Sequence, residues 1–474
     1  MKFLTLINHS AELLRLVLKS RQPADRLTSE YFRSRKYIGS KERKYISELV
    51  FSNMRQKLLS DYCAADIINI YNGPETENFT LAASLLATNI IGFEHSQPKP
   101  FDPLNSIPAN LGIGSDNFYE AMKSALAQIT GSECSENNCL IKSVSERFEY
   151  LTELIGYYKS KDVTEPSDFE LISIYYSMPK WISEKLFAYY GSHYSFRILE
   201  SLLNPAPLVL RINRQLADTK QVMEELDNMG IDFRPNPVVP DSVIIDKRVK
   251  IDDSPLYKSG IIEVQDTGSQ IISFILDPQP GSKILDACAG AGGKTLHIAA
   301  LTGDMAEIVA SDVELTKLKE LAKRARRASV NSISTQILGP RDEKKYSGYF
   351  DYALVDAPCS GMGTVRRTPM LKWQLTEKNL AKYQAKQIAI LEGYSKFVGQ
   401  GGTLVYSTCS VMPDENEAVI NSFLESNKDF SLVENLGDEF RKYSINLKSD
   451  GGFITLFPFS SASDVFFVAK LKRD

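Results

Sequence analysis

The second half of the chain predicts an α/β fold, an open sheet with helices alternating along it, and three observations carry that prediction. After about residue 280 the apolar runs KILDA, IVASD, STQIL, YALVD and TLVYST are interleaved with helix-like stretches such as TLHIAAL and LTKLKELAKRARRA. The runs end in residue types that do chemistry: glycines follow KILDA, aspartates end IVASD and YALVD, and cysteines come just after YALVD and TLVYST. Finally, 474 residues with 43% hydrophobic and 24% charged side chains are enough for several soluble globular domains.

Taken from the start, residues 1–203 predict an all-helical region. Its apolar side chains recur at helical spacing, as in Leu13, Leu14, Val17 and Leu18, and again in Ile46, Leu49, Val50 and Met54. A stretch rich in Pro, Gly, Asn and Ser near 95–115 predicts a long loop, and NPAPLVL closes the helical pattern. Residues 204–275 mix the β-like runs PLVLRIN, SVIIDKR and GIIEVQD with one helical segment, TKQVMEELDNMG, which predicts a small α+β module. Residues 276–474 then form the α/β domain.

Composition narrows the function classes. Lys and Arg total 55 against 59 acidic residues, so a net charge of −4 offers no global attraction to nucleic acid or anionic membrane, and any such affinity is local. The 6 cysteines, at 63, 134, 139, 288, 359 and 409, lack the spacing of a disulfide framework, which points to a reducing cytoplasm. The opening MKFLTLINHSAELLRLVLKSRQ reads as an amphipathic helix, not a signal peptide, and no run of 18 apolar residues predicts a membrane span. Scattered histidines and a lone Cys134, Cys139 pair predict no metal site.

The segment KILDACAGAGGKT puts Gly290, Gly292 and Gly293 between a strand and a helix, where α/β folds bind ligands. Cys288 excludes a Walker loop and Thr295 excludes the dinucleotide fingerprint, since each stands where those motifs need glycine. Asp312, 22 residues after Gly290, ends the next strand and can accept from ribose hydroxyls or cap the following helix. LVDAPCSGMGT brings Asp356 and Cys359 to the same sheet edge, and VYSTCS brings Cys409 there. Either cysteine alone reads as a small buried hydrophobe. Two converging beside an acid read as nucleophilic catalysis.

Together DACAGAGGKT, SDVE, DAPCSGMGT and YSTCS, in that order over about 130 residues, resemble the RNA cytosine-C5 methyltransferases of the RsmB/NOP (Sun/Fmu) family, which use S-adenosylmethionine. LVLRIN and GIIEVQDTGSQ resemble the family's pre-catalytic module, and YFRSRKYIGSKERKYISELV resembles the NusB-like RNA-binding domain of its ribosomal branch. The resemblance implies a Rossmann-like methyltransferase domain after an all-α NusB-like domain. It implies that Cys409 is the nucleophile adding to C6 of cytosine, that Asp356 donates a proton or hydrogen bond at N3, and that Cys359 releases the methylated RNA. For the cofactor it implies the loop Cys288, Ala289, Gly290, Ala291, Gly292, Gly293 and Lys294, with Lys294 on the carboxylate, Asp312 on the ribose, Asp342 on the adenine side and Asp356 beside them. Many members have proline where this chain has Ala291, and ILGPRDEK lacks an aspartate directly after its strand.

RNA contacts are expected locally. Arg33, Arg35, Lys36, Lys41, Arg43 and Lys44 interleave with Tyr31, Phe32 and Tyr37 as a binding patch, and read equally as a solvated helix face. Arg366 and Arg367, just past the cysteine loop, are placed for phosphates near a flipped base, with Arg211 and Asn213 adding to that wall. The run from Lys317 to Arg327 reads as solvated. The overall expectation is a monomeric cytoplasmic enzyme methylating C5 of a cytosine in small-subunit ribosomal RNA, free or within a pre-ribosomal particle; a transfer-RNA methyltransferase and an RNA-binding assembly factor with weak activity are the alternatives.

Overall fold

A computed structural model describes residues 2–20, 22–69, 76–94, 115–130, 134–161, 163–245, 249–339, 342–434, 436, 440, 445 and 450–474. The loop predicted near 95–115 lies almost wholly outside the described residues. Two compact units divide the chain: Met1–Pro205 with Val365–Gln374, and Ala206–Thr364 with Leu375–Asp474.

In the second unit the five apolar runs become parallel strands. These are β5 (Lys283–Asp286), β6 (Glu307–Ser311), β7 (Ile333–Gln336), β8 (Phe350–Asp356) and β9 (Val398–Thr408). They lie in the order β9-β8-β5-β6-β7. β12 (Phe466–Arg473) runs antiparallel along β9, and β10 (Phe430–Leu432) and β11 (Phe453–Leu456) pair with its far side. The runs of β5, β6, β8 and β9 are largely apolar because both faces of the sheet are covered there, whereas β7, at the edge, leaves Ser334 and Thr335 exposed. Ile284, Ile308, Leu354 and Val405 face one core, filled from the helix Thr267–Leu276 by Ile271, Ile275 and Phe274. Their neighbours Leu285, Val309, Val355 and Tyr406 face the other, filled by Leu391, Ile420 and Phe423. β5 and β8 are adjacent although β6 and β7 intervene in sequence. The loops leaving these two strands therefore diverge at a topological switch point, where such sheets bind ligands.

Ahead of the sheet, β1 (Leu208–Ile212), β2 (Arg234–Pro235), β3 (Ser242–Ile245) and β4 (Ile262–Val264) form an antiparallel sheet in the order β2-β3-β1-β4. The helix Thr219–Asn228, capped by Asp218 on the Lys220 N–H, packs Val222 and Leu226 against Leu210 and Val243.

Every regular element described in the first unit is a helix, and the predicted apolar stripes are its core: Leu13, Leu14, Val17, Ile46, Leu49, Val50 and Met54 are all buried together. One segment departs from the predicted partition. Residues 365–374 fall in sequence within the α/β half, yet they belong to the helical unit. Met370 joins its core, Lys372 donates to the Arg55 carbonyl at 2.7 Å, and Trp373 donates to the Met54 carbonyl at 3.1 Å.

Candidate active site

Four strand ends assemble the site. The turn after β5 starts its helix at Gly293, and Gly292 stands before it in the left-handed region (φ 85°). A Cβ at Gly292 would lie 2.4 Å from the Leu321 side chain, so the turn demands glycine there. Asp312, one residue past β6, closes the loop from the opposite side. One carboxylate oxygen accepts from the Gly290 N–H at 2.9 Å and the other from the Glu314 N–H at 2.8 Å. Arg324 holds the outer edge, donating to the Ala291 carbonyl at 2.7 Å and to Glu263 at 2.9 Å.

At the end of β8, Asp356 accepts from Ser407 of β9 at 2.8 Å and from the Lys294 ammonium at 2.6 Å. Burial opposes the Lys294 charge, but the facing Asp356 carboxylate outweighs it and the ammonium holds its proton more tightly than a free lysine, helped by Cys409 and Asp286. Cys359 and Cys409, from the loops after β8 and β9, bring their sulfurs within 3.3 Å as free thiols. The loops can approach because residue 363 has no side chain: a Cβ there would meet the Val465 and Cys409 carbonyl oxygens at 2.2 and 2.8 Å. The neighbouring Cys409 sulfur and burial together push the Cys359 thiol well up. Cys288 is pushed up too, by burial first and then by Asp286, and so stays a thiol.

Residues 273–472 match the 16S rRNA methyltransferase RsmB/F family, and residues 178–252 match the ferredoxin-like domain of RsmF/B-like methyltransferases. The probable ribosomal RNA small subunit methyltransferase B of Bacillus subtilis is 26% identical over 444 residues, 92% of each chain. Its counterpart from Synechocystis is 34% identical over 65% of this chain and 69% of that protein. The chain belongs to the RsmB/F methyltransferase family. Among solved structures, PH0851 overlays with a TM-score of 0.71 at 23% identity over 99% of both chains, a likeness of fold. A methyltransferase homolog from Pyrococcus horikoshii overlays at 0.55 with 26% identity, over 66% of this chain and all of that one.

As an RsmB/F enzyme the chain is a methyltransferase whose cofactor is S-adenosylmethionine. The residues present fit that group. A Cβ at Gly290 or Gly293 would meet nothing within 4 Å, so the glycine turn is lined by open space. The Asp312 oxygens each keep a lone pair beyond their backbone donors, which suits ribose hydroxyls. Val313, the next residue, leaves 79% of an apolar side chain exposed.

Other site residues expected from sequence have partners within the chain. Lys294, expected on the cofactor's carboxylate, faces Asp356. Asp342, expected at the adenine, accepts from the Gly339 N–H at 2.9 Å within its own loop. Arg211 and Asn213 are not part of an RNA wall: both are 3% exposed. Arg211 donates to Gln265 at 2.7 Å, and burial lowers its pKa to about 10. Asn213 donates to the Gly260 and Ala328 carbonyls. Arg366 is also buried and donates to the Asn204 and Pro205 carbonyls at 3.0 Å, so it anchors backbone and is not free for phosphate.

In the first basic run Tyr31 and Phe32 are buried, which removes them as base-stacking platforms, whereas Tyr37 is 68% exposed. Arg35 pairs with Glu12 at 2.6 Å and Arg43 donates to the Ile38 carbonyl at 2.7 Å. Lys44 pairs with Glu48 at 3.9 Å, and Arg33, Lys36 and Lys41 are exposed. In the second run Arg324 and Arg327 grip the buried Glu263 instead of facing water. Sequence reasoning missed Asp286, Ser407, Glu263 and Glu415. Asp286 carried a visible signal as the acid ending a buried strand; the others lie close to their partners only in space.

Proposed function

We propose that this chain transfers a methyl group to C5 of a cytosine in small-subunit ribosomal RNA, acting as a monomer in the cytoplasm on naked RNA or a pre-ribosomal particle. The observation that carries the reading is the convergence of Cys359, Cys409, Asp356 and Lys294 at one sheet edge. Cytosine C5 is a weak nucleophile, so the base must be activated before it can take a methyl group. Cys409 attacks C6 as a thiolate: a C–S bond forms and the C5–C6 π pair moves toward C5, with charge spreading to N3. Asp356 meets N3 as the acid, and the Lys294 ammonium at 2.6 Å offsets the negative charge left on its carboxylate when the proton passes to N3. The cofactor supplies an electrophilic methyl group. Solvent water takes the C5 proton, the C5–C6 double bond re-forms as the C–S bond to Cys409 breaks, N3 returns its proton to Asp356, and Cys359, kept protonated, gives its proton to the departing Cys409 thiolate. On the RNA side, the exposed Arg33, Lys36, Lys41 and Tyr37 remain the candidate contacts of the first unit.

The test is transfer of labelled methyl from S-adenosylmethionine to unmodified RNA, with nucleoside digestion and separate assay of ribosomal and transfer fractions. Label in 5-methylcytidine of small-subunit RNA is expected, with none from Cys409→Ala. Label confined to transfer RNA would overturn the substrate, and unchanged transfer by Cys409→Ala would overturn the chemistry.

A further inference from the structure

Outside the groups that face the reaction, one buried carboxylate touches both cysteine loops. Glu415 ends the short helix Pro413–Glu415 and is 0% exposed. Its Oε1 accepts from the Ser360 N–H at 2.8 Å and from Gln387 Nε2 at 3.0 Å. Its Oε2 accepts from the hydroxyl of Ser360, and from that of Ser410 at 2.5 Å. Gln387 also donates to the Pro358 carbonyl at 3.1 Å, and Tyr406 donates to the Glu415 carbonyl at 2.7 Å. Four donors on two oxygens are what an acceptor-only carboxylate satisfies and an amide cannot. Ser360 directly follows Cys359, and Ser410 directly follows Cys409.

We propose that Glu415 is a positioning residue that clamps the two cysteine loops at one spacing, a role resting on the two-thiol chemistry above. Each serine ties the residue beside a reacting sulfur to the same carboxylate, so neither loop can drift without breaking a charge-assisted hydrogen bond in a buried site. The clamp also makes the two thiols unlike. The Glu415 charge raises Cys359 further, after the Cys409 sulfur and burial have done so.

The test uses the full chain carrying Glu415→Gln, with Ser360→Ala and Ser410→Ala as milder changes. Because misplacing reacting groups by about 1 Å can cost about 100-fold, kcat is expected to fall by about 10- to 100-fold in Glu415→Gln. The KM for RNA and the affinity for S-adenosylmethionine should be nearly unchanged. Brief iodoacetamide labelling read by mass spectrometry should show Cys359 gaining reactivity relative to Cys409, a signature that needs no RNA. Each serine variant should lose a smaller part of kcat at wild-type cofactor affinity. The clamp is overturned by an unchanged labelling ratio and kcat in Glu415→Gln. If that variant does not fold, unchanged kcat in both serine variants overturns it. Activity surviving in Cys409→Ala would instead sink the two-thiol reading itself, so the two failures are distinguishable.

Discussion

Cys359 and Cys409 share a 3.3 Å contact, yet their chemistry separates at the level of single residues. If Cys359 assists release, Cys359→Ala should take methyl but fail to let go, leaving a band of protein covalently joined to RNA on a denaturing gel. A freely turning-over variant would rule out that role. Asp286 supports a second residue-scale prediction. It is 1% exposed, accepts from Thr295 at 2.6 Å, and has one oxygen without a partner. Burial raises its pKa from 3.8 to about 7. A raised acid binds its proton more tightly when folded, so its contribution is full below pH 3.8 and is lost as pH rises to about 7. Asp286→Asn should therefore gain stability over the wild type across that window, by at most about 1.4 kcal/mol per pH unit. Urea melts at pH 5 and pH 8 measure it, and an equal difference at both would contradict the assignment. At this scale the sequence shows position well where a residue lies at or just past a strand end, as Asp312, Asp356, Cys359 and Cys409 do. It misled where charge was taken for exposure: Arg211, Arg366 and Arg324 are cations spent on carbonyls and a buried acid. Glu415 was invisible because its partners lie up to 55 residues away.

Elements were legible because their patterns are strong. Four of the five parallel strands, β5, β6, β8 and β9, send apolar side chains into both cores, and the helical stripes of the first unit are nearly continuous. The turn between β5 and its helix is where one element is most sensitive to change. Gly292→Ala forces a left-handed alanine, costing about 1–2 kcal/mol, and drives a methyl into Leu321. Cofactor affinity should fall, and the melting temperature should drop by about 2–4 °C for each kcal/mol lost. Calorimetric titration with S-adenosylmethionine checks the first and a thermal scan the second; wild-type values in both would mean that the turn adapts freely.

For the whole molecule, the segment Val365–Gln374 is the feature that no local pattern announced. It follows the catalytic loop in sequence but buries Met370 and Lys372 within the helical unit. Deleting residues 1–205 should leave Met370 and Trp373 without their packing, so the remainder is expected to bind hydrophobic dye, aggregate and lose methyl transfer. A monodisperse, fully active fragment would refute this. The protein has 2 tryptophans, Trp181 and Trp373, and both reside in the helical unit. Tryptophan fluorescence, excited selectively over tyrosine, is thus a built-in optical reporter of that unit alone, even though one fluorophore is encoded nine residues beyond Thr364. Saturating S-adenosylmethionine stabilises whichever part binds it. A fluorescence melt that stays still while the calorimetric transition climbs would reveal two independent folding units, and a melt that climbs with it would show that the encoded crossing makes them one.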